Sequence, residues 1–183
     1  TMVGGACAGL DPERLGQSLG RIGAAAMPIG PEKETEIGRG IAATVAGRYA
    51  VLRDPELTRY INLVGLAVAE QSPRRYEIDF RFAVLDADDV NAFAAPGGYI
   101  FITRGALAVM ESEAELAGVL AHEIGHVDAK HVIDEIRRAD VIQTAQDESQ
   151  LSGALLDRIA SLGTGLLFTG LSREDELEAD ALG

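Results

Sequence analysis

The sequence is short of cysteine, basic residues and long apolar runs, and each shortage excludes a class of protein. Cys7 is the only cysteine among 183 residues, so neither an intrachain disulfide nor a cluster of zinc-binding thiolates can form. The net charge of −13 argues against a nucleic-acid partner and against a polybasic membrane contact. Asp157, Arg158 and several glycines interrupt the apolar stretch 151–171, so we predict a core helix and no transmembrane span.

The length and the 47% apolar content predict one folded domain, which we place at residues 31–183. The preceding segment 1–30 is predicted to hold a short helix that begins at Asp11-Pro12. Residues 1–9 lack the basic and apolar regions of a full signal peptide. Two interpretations of Cys7 stay open: a free cysteine, which we favour, and a lipid anchor. Gly4 stands where a lipoprotein signal normally has leucine.

The hydrophobic periodicity predicts several helices and at least two strands. Helices are expected at 31–51, 54–71, 106–110 and from 113 onward, and again after Ser172. Alternating apolar and polar residues predict a strand at 76–84, and 99–103 reads as a second strand. Between them, residues 91–98 are expected to hold a short strand and a tight turn. We expect 134–150 to be a helix extension followed by a mobile loop.

The chain has three histidines, and two of them form a His-Glu-x-x-His motif at 122–126. On a helix, His122 and His126 lie on one face, one turn apart, where both can reach one zinc ion. Glu123 can then take a proton from a water bound to that zinc. The motif therefore predicts a catalytic zinc site, and the alternative is a chance match of exposed helix residues.

The surroundings of the motif favour a helix. Ser112 and Glu115 have the spacing of a capping box, and an apolar stripe follows at the period of an amphipathic helix. Gly125 lowers helix stability by about 1 kcal/mol relative to alanine, and we expect it to admit a second element close to His126. If the helix continues, His131 points away from both other histidines, so we interpret it as structural or surface-exposed.

A catalytic zinc usually has three protein ligands, and no histidine is left for the third. Glu148 and Glu176 are both candidates on spacing, with a slight preference for Glu176 because an apolar segment would anchor its helix. Asp180 lies one turn from Glu176 and can accept a hydrogen bond from a ligand histidine. Glu178 is expected to point to the opposite side, into solvent.

Three segments resemble the zinc metallopeptidases of the CAAX prenyl protease, BepA and HtpX group. They are His-Glu-x-x-His at 122–126, Ser-Arg-x-x-Glu-x-x-Ala-Asp at 172–180, and Asn-Ala-Phe-x-x-Pro-Gly-Gly-x-Ile at 91–100. The resemblance implies zinc bound by His122, His126 and Glu176, with Glu123 as the base and Asp180 hydrogen-bonded to a ligand. It also implies a mostly helical α+β fold, a gluzincin-type domain at 31–183 with a small sheet along the cleft. The soluble bacterial branch is favoured, in the periplasm or at the envelope membrane.

The strand at 99–103 follows a Pro-Gly-Gly turn and shortly precedes the metal helix. We predict that one edge of this strand is free and pairs with an extended peptide substrate, and the alternative is an ordinary internal strand. The predicted substrate-binding residues are Asn91, Ala92, Gly98, Tyr99 and Ile100.

The function predicted from the sequence is a zinc-dependent endopeptidase acting on proteins, in envelope protein quality control. The alternative is a non-catalytic, zinc-stabilised binding or chaperone-like domain. Glu123 favours the enzyme, because a purely structural zinc site needs no base and normally has four protein ligands. A third hypothesis is a peptidase that the segment 134–150 holds inactive as a lid.

Overall fold

The computed structural model describes residues 29–139 and 153–183. Their elements are α1 (Pro31–Arg48), α2 (Pro55–Ala69), β1 (Arg81–Leu85), β2 (Ala92–Ala95), a 3₁₀ turn (Pro96–Gly98), β3 (Tyr99–Thr103), α3 (Arg104–Val109), α4 (Glu113–Asp128), α5 (His131–Arg138), α6 (Gly153–Thr169) and α7 (Arg173–Leu182). The predicted α+β class is confirmed, with a three-stranded sheet among seven helices in these described residues. Cys7 and the predicted N-terminal helix lie outside the described residues.

The sheet has the strand order β1-β3-β2, with β3 in the centre. β1 runs parallel to β3, and β2 runs antiparallel to it. The outer edge of β1 is covered at one point by a bridge between Val51 and Leu85. Among the described residues, β2 therefore has a strand neighbour on one side only.

The side chains of β3 point alternately to the two faces of the sheet, and the core accordingly has two layers. Ile100 and Ile102 are buried on the face where the apolar stripes of α2 and α4 pack. Phe101 faces the other way, into a second cluster that α1, α5 and α6 cover. Helix α4, which carries the His-Glu-x-x-His motif, thus lies against one face of the sheet, and the expected core helix α6 lies on the other.

The predicted strand 76–84 is wrong at its beginning, because β1 starts only at Arg81. Residues 73–77 form turns, in which Arg74 accepts main-chain hydrogen bonds from Glu77 and Ile78 through its carbonyl oxygen. The Arg74 side chain is buried, and Tyr76 is 88% exposed. The segment thus turns around the buried Arg74 before β1 begins, although its apolar residues alternate.

Candidate metal centre

Helix α4 carries the His-Glu-x-x-His motif, and its local sequence explains why it forms. The predicted N-cap is confirmed, since the Ser112 hydroxyl accepts a hydrogen bond from the Glu115 main-chain N–H. The Glu115 carboxylate accepts from the Glu111 N–H, so only half of the capping box is present. The apolar stripe is buried at Leu116, Leu120, Ile124 and Val127. Packing of that stripe fixes the direction in which the motif faces.

Three potential ligand atoms lie close to one another. The Nε2 atoms of His122 and His126 are 3.0 Å apart. The Oε2 atom of Glu176 lies 3.3 Å from the first and 3.8 Å from the second. In a tetrahedral zinc site with bonds of about 2.0–2.1 Å, ligand atoms are about 3.3 Å apart. These three atoms therefore fit one face of such a tetrahedron and can hold a metal ion.

The site is buried on one side and open on the other. Glu123 and His126 are buried, whereas the side chain of Glu176 is 46% exposed and that of His122 is 26% exposed. The fourth corner of a tetrahedron can therefore face solvent. Such an open position distinguishes catalytic zinc sites from closed structural ones.

Glu176 lies on α7, which approaches α4 closely at a glycine. A Cβ on Gly125 would lie 2.8 Å from the Ala179 carbonyl oxygen and 3.2 Å from the Ala179 Cα. The expectation that Gly125 admits a second element is thus confirmed. α7 begins at a full capping box between Ser172 and Asp175, which confirms the predicted N-cap.

Asp180 lies one turn after Glu176 and contacts His122. Its Oδ1 atom is 2.8 Å from the His122 Nδ1, the nitrogen that faces away from the other ligand atoms. A carboxylate in this place favours the tautomer that leaves Nε2 free to bind a metal. Glu178 is exposed, as expected, and its Oε2 atom lies 3.4 Å from the His131 Nε2.

The expected direction of His131 is wrong, because α4 does not continue to it. The helix ends at Asp128, and Lys130 adopts a left-handed conformation with φ of 60°. His131 therefore starts a new helix, is 4% exposed, and places its Nδ1 atom 2.8 Å from the Nδ1 of His126. It does not belong to the group of three ligand atoms. Its interpretation as a structural histidine agrees with its burial.

Burial shifts the protonation of two residues in the motif. Burial, and next the charge of Glu176, raises the pKa of Glu123 to about 8. Burial, and next the neighbouring His122 and His131, lowers the pKa of His126 to about 4. His126 is thus neutral at pH 7 and has a lone pair to offer a metal. A bound cation would favour the ionised form of Glu123.

A buried ion pair that the sequence did not reveal holds the end of α4. Arg74 donates two hydrogen bonds to the Glu34 carboxylate, at 3.0 and 2.6 Å, and one to the Val127 carbonyl at 2.6 Å. Asp128 accepts a hydrogen bond from the Ser72 hydroxyl at 2.7 Å. Glu34 lies 40 residues before Arg74, so no local pattern links them.

The predicted free edge of the strand Tyr99–Thr103 is wrong. This strand is β3, and β1 and β2 pair with its two edges. Ile100 is 1% exposed and Gly98 is buried, so their side-chain positions face the core and not the cleft. Tyr99 is partly buried. Asn91 and Ala92 lie where the edge strand β2 begins.

Glu148, the other candidate for the third ligand, lies outside the described residues, as does most of the predicted lid 134–150. The described part of that lid is the second half of α5. No single helix among the described residues has both the length and the apolar character needed to cross a membrane. Within 29–139 and 153–183, only α6 and α7 together meet that test, and they are bent by 82°.

A two-histidine motif on one helix and a glutamate on a second, beside a small sheet, are the hallmarks of the gluzincin class of metallopeptidases. A sequence model of one such family, peptidase family M48, matches residues 55–183. The chain belongs to peptidase family M48.

Its relatives are named as proteases. The chain is 28% identical over 178 residues to the beta-barrel assembly-enhancing protease of Escherichia coli (strain K12). The aligned region covers 90% of this chain and 36% of that protein. It is 34% identical over 122 residues to the mitochondrial metalloendopeptidase OMA1 of Schizosaccharomyces pombe, covering 64% of this chain and 34% of that protein. The metalloprotease YcaL of Escherichia coli (strain K12) is 35% identical over 107 residues, which cover 54% of this chain and 41% of YcaL. The chain thus spans about two fifths or less of the length of these relatives.

Proposed function

We propose that this chain is a zinc-dependent endopeptidase that hydrolyses peptide bonds of proteins, with one zinc ion held by His122, His126 and Glu176. The observation that carries the proposal is the meeting of their three ligand atoms within 3.8 Å, with one open side. A zinc ion there would polarise the peptide carbonyl and lower the pKa of a water molecule toward about 7.

Glu123 is the proposed general base. It follows directly on His122 and is buried beside the ligand atoms, where a carboxylate can take a proton and pass it to the leaving amine. Asp180 is proposed to orient His122 through the contact at 2.8 Å. A non-catalytic binding domain would have no use for a base at this position, which is why the enzyme is preferred.

The substrate main chain is proposed to pair with β2 on the side that has no strand neighbour among the described residues, beginning at Ala92, which is partly exposed while the rest of the strand is buried. Thr103 donates its N–H to the Asn91 carbonyl, so Ala92 and Ala94 direct their main-chain groups away from β3. The Asn91 side chain accepts from the Ala92 N–H at 2.9 Å in the free protein. β2 ends at a small cavity that His126 also lines, so the end of this strand lies close to one of the proposed ligands.

Envelope protein quality control is the proposed setting, because a relative bears the name beta-barrel assembly-enhancing protease. The periplasm or the envelope membrane would be the corresponding location, and domain 31–183 the catalytic unit.

The test is metal analysis together with cleavage of an unfolded protein, with and without a chelator. The wild-type chain should bind about one zinc and lose cleavage when the metal is removed. Glu123→Gln should keep the zinc while cleavage falls by orders of magnitude, because it removes a proton acceptor and no ligand. Glu174→Gln, an exposed change on α7, is the matched control and should behave as wild type. Full activity of purified Glu123→Gln would remove Glu123 from the mechanism.

A further inference from the structure

His131 is buried between the metal helix and α7, and both of its ring nitrogens face polar groups. Its Nδ1 atom lies 2.8 Å from the His126 Nδ1. On the other side, its Nε2 atom lies 3.4 Å from a Glu178 oxygen and 3.8 Å from an Asp175 oxygen. The rings of His126 and His131 are inclined at 71°, so the two nitrogens meet edge to edge and the rings do not stack.

Two imidazole nitrogens at hydrogen-bond distance need one donor and one acceptor. If the His126 Nε2 binds a metal, its lone pair is used there and the Nδ1 must carry the proton. The His131 Nδ1 is then the acceptor, and its own proton must be on Nε2. That is the side on which Asp175 and Glu178 lie, and carboxylates attract an N–H. The acidic face of α7 therefore favours the tautomer of His131 that His126 requires.

We propose that His131 is a positioning residue, which accepts the N–H of His126 and so fixes the tautomer and orientation in which His126 offers Nε2 to the metal. The role rests on the proposed metal site. In this proposal, α7 orients both ligand histidines. Asp180 contacts His122 directly, whereas Asp175 and Glu178 act on His126 through His131.

The backbone around His131 is built for this contact. Lys130 takes a left-handed conformation, which ends α4 and turns the next helix back toward His126. That conformation is costly for a residue with a side chain, so the surrounding contacts must compensate for it. Lys130 contacts the buried Glu34 carboxylate at 3.6 Å and the Ile29 carbonyl at 3.3 Å, which helps to hold the turn.

Two substitutions at one position separate positioning from packing. His131→Leu fills the space but leaves the buried His126 N–H without an acceptor. His131→Asn keeps one, because its amide oxygen is as many bonds from the backbone as Nδ1 is. Ile136→Val, in the core side of the same helix, is the control for a general loss of stability in α5. Zinc affinity is measured by competition with a chromophoric chelator, and the ligand field by the visible spectrum of the cobalt-substituted chain.

His131→Leu should weaken zinc binding about 10–100-fold and change the cobalt spectrum. His131→Asn and Ile136→Val should stay within about threefold of wild type with an unchanged spectrum. Equal affinities for all three variants, or an equal loss for Asn and Leu, overturn the proposal.

If His131→Leu does not fold, ¹⁵N NMR of the histidine rings in the zinc-bound wild-type chain decides. The expected result is a proton on the Nδ1 of His126 and on the Nε2 of His131, and any other pair of tautomers overturns the role. A wild-type chain that binds no zinc refutes the metal site itself and this role with it. If His131→Leu is the one variant that binds zinc weakly, the metal site stands and the role of His131 is supported.

Discussion

Gly125 allows the sharpest mutational test of the proposed site, because α4 offers a matched glycine at Gly118. In Gly125→Ala the new Cβ would lie 2.8 Å from the Ala179 carbonyl oxygen. Ordinary contact begins at 3.4 Å, so α7 must move away by about 0.6 Å. Since Glu176 belongs to α7, this shift also moves the proposed third ligand.

Two opposing terms set the effect on the free energy of unfolding. Alanine gains about 1 kcal/mol in helix propensity over glycine. Overpacking against a backbone costs about 1–3 kcal/mol, so Gly125→Ala should lose between about 0 and 2 kcal/mol. Gly118 is exposed and an added Cβ meets nothing within 4 Å, so Gly118→Ala should gain about 1 kcal/mol.

Urea unfolding of the metal-free variants, followed by circular dichroism, measures these differences. Chelator competition then measures zinc affinity, which should fall about tenfold or more in Gly125→Ala and stay unchanged in Gly118→Ala. If Gly125→Ala is as stabilising as Gly118→Ala and binds zinc equally well, α7 does not pack on α4 at this point. The ligand set containing Glu176 would then lose its structural support.

Three further predictions concern the ligands and the substrate edge. Glu176→Ala should lose zinc and cleavage together while Glu148→Ala retains both, as zinc analysis and a peptide assay can establish; the opposite pattern would make Glu148 the third ligand. Asp180→Ala should bind zinc or cleave about 10–100-fold less well, and wild-type values would exclude a supporting role. Ala92→Pro should raise KM for peptides with zinc content unchanged, because proline cannot donate from the β2 edge. An unchanged KM would argue against pairing at that edge.

Local spacing predicted those parts of the site that lie within one helix. The separation of His122 and His126 by one turn needs only the period of an α-helix, and so does that of Glu176 and Asp180. N-caps at Ser112 and Ser172 were likewise readable, because capping uses residues three apart. The approach of Glu176 to the two histidines was expected from the family resemblance. The spacing of residues within 122–126 gives no information about how far Glu176 lies from them.

The direction of His131 could not be predicted in the same way. Helical periodicity gives a direction only while the helix lasts, and α4 ends three residues before His131. The break falls at Lys130, a residue type that rarely adopts positive φ, so nothing in the local sequence marks it. Its contact with Glu34, nearly 100 residues earlier, is a tertiary interaction.

The prediction of a free edge at β3 was wrong because local sequence does not show which strands pair with one another. Alternation identifies which residues of a strand face the core, yet both edges of any strand carry the same main-chain groups. The apolar pattern of 99–103 was better evidence for a central strand than for an edge, because side chains buried on both faces give a continuous apolar run. The shorter strand β2 is the one that has a strand neighbour on one side only in the part of the chain that the structure describes, and it ends at the cavity that His126 lines. If an extended peptide pairs with this sheet, we therefore expect the strand that serves to be Ala92–Ala95 and not Tyr99–Thr103.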